Sequence, residues 1–478
     1  MNASAPQAVG LFFALGGAAL GLISRDPRLR YGALGAGLLA GLFLILGEVW
    51  DTSRLASLRD HPPEAAGLAL VAIAGIAVLA AAMRRWPVLF PLLAVITLPL
   101  RVPVDIGGNT SSLLVPLYAV ISSGLVAAAW SRRRSIDPTP RLLRRLLAVA
   151  LALYAVQALY SVDVKNAVEN AAFFYVPFAA LFVLLFEVEW SPRLIRRALV
   201  TLAAAAAVLA AIAIGEYAVR ELILNTDLRA ENALHIYFRV NSLFRDPNIL
   251  GRYLALAMLA MAGLLAWEER TIRALAAAAV AVLLLVALAF SFSLTSFAAL
   301  LTGLLVLIWA RLGTTVAAAA VAAAVVVGAV YLVAVGSGGT EVSSGGAGRT
   351  SLIRGGLDLA RDRPIWGWGS GSFGEAFYTK IEKAKTTTSH DTPIAVAAEQ
   401  GVIGLAALVA LVVSALFVLF GGGVRGSPAR ATLAALFVAM LVHSLGYASF
   451  LEDPATWAIL AVGAALAGAR PAPAPAPG

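Results

Sequence analysis

Three arginines crowd the start of one apolar run near the middle of the chain. Arg239, Arg245 and Arg252 surround Asp246 and Pro247, and an aspartate followed by a proline is typical of the first turn of a helix. Guanidinium groups bind phosphate oxygens in pairs, and a helix N-terminus adds free N–H groups and a positive dipole end. The pattern predicts an anion site, and the alternative is that the arginines reach toward lipid headgroups.

A histidine and a glutamate flank the start of a later apolar run. His390 lies just before a helix expected to begin near Pro393, and the positive end of that helix favours the neutral imidazole that a general base needs. Glu399 lies about two turns inside the membrane, where a carboxylate is costly and therefore a functional candidate. The alternatives are a solvated loop histidine and a glutamate that hydrogen-bonds a neighbouring helix.

The stretch from Arg349 to Gly404 is the most polar part of the second half of the chain. It begins with an amphipathic run that predicts a short helix on a surface, and a turn-rich loop with Trp366 and Trp368 follows. The tryptophans suit anchoring at the membrane interface, with sugar stacking as the alternative. We interpret this stretch as a water-facing site between two membrane spans.

The composition is that of a polytopic membrane protein. The chain has 478 residues, of which 60% are hydrophobic and 13% are charged, whereas a soluble domain has about a quarter charged. The formal net charge is +9, but the arginines lie in short loops between apolar runs, which indicates membrane orientation rather than nucleic-acid binding. The chain contains no cysteine, which excludes disulfides, thiolate nucleophiles and cysteine-ligated metals.

Fifteen apolar runs are long enough, or nearly so, to cross a bilayer. They lie at about 8–23, 31–48, 66–83, 86–100, 113–130, 145–161, 171–186, 198–214, 249–267, 274–290, 294–310, 315–335, 394–420, 431–449 and 454–468. Because several are short or contain proline, we expect an all-α fold with about 12–15 transmembrane helices. Short helices should occupy the large loop between the runs 315–335 and 394–420.

Every second loop between these runs is rich in arginine, as cytoplasmic loops are. This alternation predicts an outward N-terminus, an inward C-terminus and two long outward loops, 215–248 and 336–393. The expected divisions are N-terminal extra spans (1–85), a transmembrane core (86–335), the large outer loop (336–393), C-terminal spans (394–468) and a disordered tail of proline and alanine (469–478).

Three segments resemble the O-antigen ligase and polymerase superfamily of bacterial envelope proteins. Arg239-Val-Asn-Ser-Leu-Phe-Arg-Asp-Pro-Asn-Ile-Leu-Gly is similar to the family's Arg-x-x-Gly-x-Phe-x-x-Pro-Asn-x-Leu-Ala/Gly motif, with Ser242 at the glycine position. Pro364-Ile-Trp-Gly-Trp-Gly-Ser-Gly-Ser-Phe is similar to its Pro-x-x-Gly-x-Gly-x-Gly-x-Phe motif. His390-Asp-Thr-Pro-Ile, followed by Glu399-Gln-Gly-Val-Ile-Gly, is similar to its His-Asn-x-x-Leu and Glu-x-Gly-x-x-Gly motifs.

The resemblance implies a GT-C-type glycosyltransferase of the bacterial cytoplasmic membrane with its site on the outer, periplasmic face. It implies a donor glycan linked to undecaprenyl diphosphate, an acceptor hydroxyl on a lipid or glycan, inversion at the sugar, and no cofactor or metal. Arg239, helped by Arg245 or Arg252, would hold the diphosphate, and His390 would orient or deprotonate the acceptor hydroxyl. Other expected site residues are the catalytic candidate Glu399 and the acceptor- or sugar-contacting candidates Trp366, Trp368, Asp391 and Arg349.

The sequence departs from the family pattern at one point. Phe297 stands where family members often have an arginine, so a second diphosphate ligand is missing there. The resemblance leaves both a ligase of lipopolysaccharide biosynthesis and a Wzy-type polysaccharide polymerase open. A lipid or polysaccharide transporter is the alternative of another class, but it would place polar groups in the middle of several spans, and here polarity collects in two outer loops.

Overall fold

The computed structural model describes residues 3–468 apart from several internal segments. These are 51–58, 107–108, 132–139, 227, 234–236, 269, 324, 326–342 and 382–388. The predicted tail 469–478 and parts of the outer loop 336–393 therefore lie outside the described residues. The side chains of residues 103–106, 109–112, 230–231 and 343–350 also lie outside the description.

The described helices follow the predicted apolar runs. They are α1 (Ala5–Ile23), α2 (Pro27–Val49), α3 (Pro62–Arg85), α4 (Leu89–Thr97), α5 (Val115–Trp130), α6 (Arg141–Ala158), α7 (Val164–Phe186), α8 (Pro192–Val219), α9 (Pro247–Leu265), α10 (Thr271–Ser291), α11 (Leu294–Leu312), α12 (Thr314–Ala323), α13 (Ser343–Asp362), α14 (Phe373–Lys380), α15 (Thr392–Phe420), α16 (Pro428–Ser444) and α17 (Pro454–Gly468). Each of the fifteen runs coincides with one helix, although the run 315–335 is described only over α12. The short helices α13 and α14 lie in the loop 336–393, where short helices are expected.

Nine of the described helices are long and apolar enough to cross a membrane, and four shorter apolar helices accompany them. This confirms an all-α, polytopic integral membrane protein. The span predicted at 86–100 is the shortest of the fifteen, because α4 contains only 9 residues.

Two helices form the buried centre of the bundle. Every residue from Val176 to Phe186 in α7 is buried, and most of α9 is buried as well. A helix that is apolar on all faces belongs in such a position. The Phe182 ring packs edge-on against Trp457 of α17, with ring centroids 6.5 Å apart. Within α7, residues Ala171–Tyr175 form a π-helical turn, a local irregularity that often marks functional sites.

A small hairpin departs from the all-α expectation for the loop after α4. Strands β1 (Val102–Ile106) and β2 (Asn109–Leu113) pair antiparallel, with Val102 opposite Leu113. The alternating β-branched residues Val102, Val104 and Ile106, followed by two glycines, are a hairpin signal that reading for apolar runs overlooks. The hairpin returns the chain to its starting point, so Arg101 and Leu114 lie at its base.

Candidate active site

Helix α15 is broken where residues 343–381 of the loop predicted to face outward, hereafter the outer segment, dock on it. Gly401 has φ 64° and ψ −164° inside the helix, so backbone groups near the break lose their helical partners. The loop 364–371 replaces them: Gly369 N–H donates to the Glu399 carbonyl (2.8 Å), and Val402 N–H donates to the Pro364 carbonyl (2.8 Å). The glycine-rich motif therefore completes the hydrogen bonds of a kinked membrane helix.

Glu399 fixes the far end of the same loop. One carboxylate oxygen accepts from Gly371 N–H at 2.9 Å, and the other accepts from Phe373 N–H at 3.1 Å. Gln157 of α6 links the loop 364–371 to α15, because its Nε2 donates to the carbonyls of Trp366 (3.3 Å) and Gln400 (3.0 Å). In this arrangement Glu399 holds the backbone of the outer segment against α15.

The two tryptophans of the outer segment have different surroundings. Trp368 is 3% exposed and packs with Phe373 and Phe377 in a small apolar core between α13, α14 and α15. The Arg363 guanidinium lies 4.0 Å from the centroid of the Trp368 ring. Trp366 is 55% exposed. Of the two predicted sugar contacts, Trp366 therefore has the accessible ring.

Helix α9 begins as its sequence predicts. Asp246 caps it by accepting from Asn248 N–H at 2.7 Å, and Pro247 occupies the first turn. One turn on, Arg252 is buried and forms an ion pair with Asp453. Its Nη1 also donates to Ser449 Oγ at 2.6 Å. The loop 445–453 between α16 and α17 therefore supplies the partners of an arginine that the sequence predicts as an anion ligand.

His390 lies in the turn that begins α15. Asp391 caps this helix by accepting from Ile394 N–H at 3.0 Å, while His390 takes a left-handed backbone conformation with φ 62°. Burial raises the pKa of the Asp391 carboxyl. The half-buried His390 ring stands 6.2 Å, between centroids, from the ring of Tyr447. Arg252 reaches the same tyrosine, with its guanidinium carbon 5.7 Å from the ring centroid.

These elements enclose one cavity of about 510 Å³, a size typical of small-ligand sites. Its polar wall carries three arginines, a histidine and several carboxylates and amides. The polar wall includes Arg101, Asn166, Glu169, Asn170, Arg245, Asp246, Arg252, His390, Glu399, Gln400 and Glu452. Its apolar wall includes Ala150, Ala407, Leu408 and Leu411. Cationic and apolar surfaces therefore meet in a single chamber.

Arg101 and Glu452 are charged groups of this chamber whose hydrogen bonding is incomplete among the described residues. Arg101 Nη1 is buried without a hydrogen-bond partner in the described part of the chain. Burial lowers the pKa of Arg101, the nearby Asp453 carboxylate opposes this shift, and Arg252 adds to it. Burial raises the pKa of Glu452 to about 7, although the positive charge of Arg252 opposes this shift. Both side chains therefore have hydrogen-bonding capacity left for a ligand in the cavity.

Several predicted site residues lie elsewhere. Arg239 does not line the cavity, and its Nε donates to the Ser291 carbonyl at 3.2 Å. Arg349 lies in α13, but its side chain is outside the described part of the chain. Phe297, at the position of the family arginine, packs against the hydrophobic core. The roles predicted for Arg239 and Arg349 stay predictions.

Sequence reasoning missed Arg101, Tyr447 and Glu452 as cavity residues. A signal for Arg101 exists, because it is an arginine in a loop that the basic-loop alternation assigns to the outer face. The arginines around Asp246 are functional candidates for the same reason, since they also lie in a loop assigned to the outer face. Glu452 and Asp453 stand out only as adjacent acids, since nothing in their sequence neighbourhood reveals that they meet α9.

Comparison with models of protein families finds a match in this part of the chain. The sequence model of a family described as O-antigen ligase matches residues 279–409, which include the outer segment, His390 and Glu399 but not Arg101, Arg252 or Glu452. No curated protein matches the chain. The match agrees with the resemblance of the motifs at Pro364, His390 and Glu399. It supports assignment of this integral membrane protein to the O-antigen ligase superfamily.

Proposed function

We propose that the protein is a glycosyltransferase that moves a glycan from a polyprenyl-diphosphate carrier, such as undecaprenyl diphosphate, to an acceptor hydroxyl. One observation carries the proposal: a single cavity joins three arginines to an apolar wall. A lipid diphosphate has the same division into a doubly anionic head and a hydrocarbon tail. The O-antigen ligase match supports a lipid-linked glycan as the substrate class.

The arginines would bind the diphosphate and stabilise it as it leaves. Arg101 Nη1 has no partner among the described residues and can donate directly to a phosphate oxygen. Arg252 is held by Asp453 and Ser449, so its charge is fixed in place before the ligand arrives. Donors arranged in advance toward a developing negative charge are the largest source of rate enhancement in many enzymes. Arg101 would supply the cation that Phe297 does not.

The remaining predicted residues take supporting parts. His390 would orient the acceptor hydroxyl or accept its proton, and Asp391 sets the start of the helix beside it. Glu399 is a positioning residue, because both its oxygens hold the backbone of the outer segment. We assign inversion at the sugar carbon, since displacement by the acceptor occurs in one step. No step of this scheme calls for a metal ion.

The proposed site faces outward. Five segments that the basic-loop alternation assigns to the outer side meet at the cavity: the base of the hairpin, the start of α7, the start of α9, the start of α15 and residues 450–453. Their convergence supports a site at the outer face of the bacterial cytoplasmic membrane. Supplying each acceptor separately distinguishes the two activities. A ligase transfers the glycan to a lipid core, and a polymerase transfers it to another lipid-linked repeat.

A reconstituted transfer reaction tests the function. The purified protein in proteoliposomes is given a lipid extract of cells from which its gene is deleted, where unused donor and acceptor should accumulate. Wild type is expected to transfer the glycan, also in the presence of EDTA. Arg101→Gln should reduce kcat/KM about 10-fold to 100-fold, because a hydrogen bond to a charged group is worth about 1.5–3 kcal/mol.

Arg354→Gln is the matched control, because Arg354 is an exposed arginine on α13 of the outer segment. Its transfer rate should equal that of wild type. Absence of transfer by wild type would contradict the proposed function. Equal rates for Arg101→Gln and Arg354→Gln would remove Arg101 from the phosphate site.

A further inference from the structure

Four carboxylates line the cavity, and three of them are engaged. Both oxygens of Glu399 accept backbone N–H groups. Asp246 caps α9, and Glu169 lies 4.0 Å from Lys165 one turn away on its own helix. Glu452 forms no hydrogen bond and no ion pair within the described part of the chain. Its oxygens therefore remain available to a ligand.

The position of Glu452 is unexpected for a group that serves only the fold. A carboxylate beside arginines that bind an anionic ligand weakens that binding, and a half-buried carboxylate without partners costs stability. The adjacent Asp453 already supplies the carboxylate that the fold requires here. It pairs with Arg252 and caps α17 by accepting from Ala455 N–H at 2.8 Å. A chemical role would explain why Glu452 faces the chamber.

We infer that Glu452 is the general base that takes the proton from the acceptor hydroxyl. This inference rests on the proposed function and gives His390 the orienting role. Glu452 lies in the electrostatic neighbourhood of Arg252, the arginine proposed to hold the leaving group. The reacting sugar carbon is one bond from that phosphate, so the incoming hydroxyl is brought to the same part of the chamber.

The step is balanced as follows. The acceptor oxygen forms a bond to the sugar carbon, and the bond from that carbon to the phosphate oxygen breaks. The bonding electron pair leaves on the lipid diphosphate, whose added charge the arginines stabilise. The hydroxyl proton passes to the Glu452 carboxylate and is later released to water.

Burial sets the protonation of Glu452 near the working pH. Its pKa of about 7 suits a general base, which must be ionised yet basic enough to accept a proton. The other titratable and charged groups facing the chamber come from every element around it. They are Arg101 after α4, Tyr154 on α6, Glu169 and Tyr175 on α7, Arg245, Asp246 and Arg252 at α9, His390 and Glu399 at α15, and Tyr447 in the loop 445–453.

The transfer reaction in proteoliposomes tests this inference by its pH dependence. Only the ionised base works, so wild-type kcat/KM should rise about tenfold per pH unit in acid and level off above about pH 7. Glu452→Gln should lower kcat about 10²-fold or more and remove this rise. Glu452→Asp should keep the rise at a reduced rate, while Glu375→Gln, an exposed control on α14, should match wild type.

Chemical rescue separates a missing base from a damaged fold. Glu452→Ala leaves room in the cavity, and added formate should restore transfer at least 10-fold, whereas formate should not rescue His390→Ala. A wild-type pH profile in Glu452→Gln, or no rescue of Glu452→Ala by formate, would overturn the assignment while leaving the proposed function intact. Absence of transfer by wild type would overturn both.

Discussion

Gly401→Ala is expected to release the outer segment from α15 and to abolish transfer. Gly401 has φ 64°, and a Cβ there would lie 2.2 Å from the Ile365 carbonyl oxygen. The left-handed backbone costs a non-glycine residue about 1–3 kcal/mol, and the overlap adds about 1–3 kcal/mol more. The docking is backbone to backbone, so no side chain can move aside to accept the added methyl group.

Hydrogen exchange measures this release directly. Amides of Gly371 and Phe373, which donate to Glu399, should exchange much faster in Gly401→Ala than in wild type. Gly75→Ala is the matched control, because no atom lies within 4 Å of the added methyl group there. Unchanged exchange and unchanged transfer in Gly401→Ala would show that the docked arrangement is not needed.

Arg252→Met is expected to cost both stability and activity, and a second substitution should restore only the stability. Removing the arginine leaves the buried Asp453 carboxylate without its ion-pair partner, which costs about 3–5 kcal/mol in free energy of unfolding. Arg252→Met/Asp453→Asn removes the stranded charge and keeps an oxygen to cap α17. The double variant should therefore recover most of the lost stability while transfer stays lost, because the phosphate-binding charge is absent.

Unfolding in detergent micelles and the transfer rate are measured on the same preparations. The exposed pair Arg361 and Asp358, with side chains 76% and 56% exposed, provides a control. Arg361→Met should change the free energy of unfolding by less than about 1 kcal/mol. Recovery of transfer in the double variant would contradict a role for Arg252 in binding the diphosphate.

The helices could be predicted well because a segment that crosses lipid must be apolar along its whole length, which is visible in the local sequence. A membrane span needs a continuous apolar run, so the positions of the spans can be predicted without knowing how the helices pack. The hairpin at Val102–Ile106 and Asn109–Leu113 was not predicted, because short strands in a loop carry a weaker signal. Helix starts at Asp246 and Asp391 were predictable, since capping depends on neighbouring residues alone.

The site was predictable in its parts but not in its assembly. The motifs locate Arg245, Arg252, His390 and Glu399, and all four line the cavity. Arg239, in the same motif, points to the Ser291 carbonyl instead, and spacing along the chain could not show this. Which side chain of a crowded loop enters a chamber depends on the helices that surround it.

The residues that sequence reasoning missed belong to other loops. Arg101 and Glu452 are separated by most of the chain, yet the hairpin base and the loop 445–453 line the same cavity. The partner of Arg252 is likewise distant in sequence, since Asp453 precedes the last helix. Such pairings follow from tertiary packing, which a single sequence does not reveal.

Cysteine labelling tests the central claim, an outward chamber that binds a lipid diphosphate, most directly. The chain lacks cysteine, so Ala448→Cys places one thiol on the cavity wall. Two further variants serve as controls: Gly426→Cys in an exposed loop predicted to face inward, and Tyr378→Cys on the exposed face of α14. Spheroplasts are treated with a membrane-impermeant maleimide, with or without farnesyl diphosphate or farnesol.

We predict that Ala448→Cys and Tyr378→Cys are labelled from outside and that Gly426→Cys is labelled only after permeabilisation. Farnesyl diphosphate should slow labelling of Ala448→Cys alone, and farnesol should slow neither. Labelling of Ala448→Cys only after permeabilisation, or at a rate that farnesyl diphosphate does not change, would contradict the account.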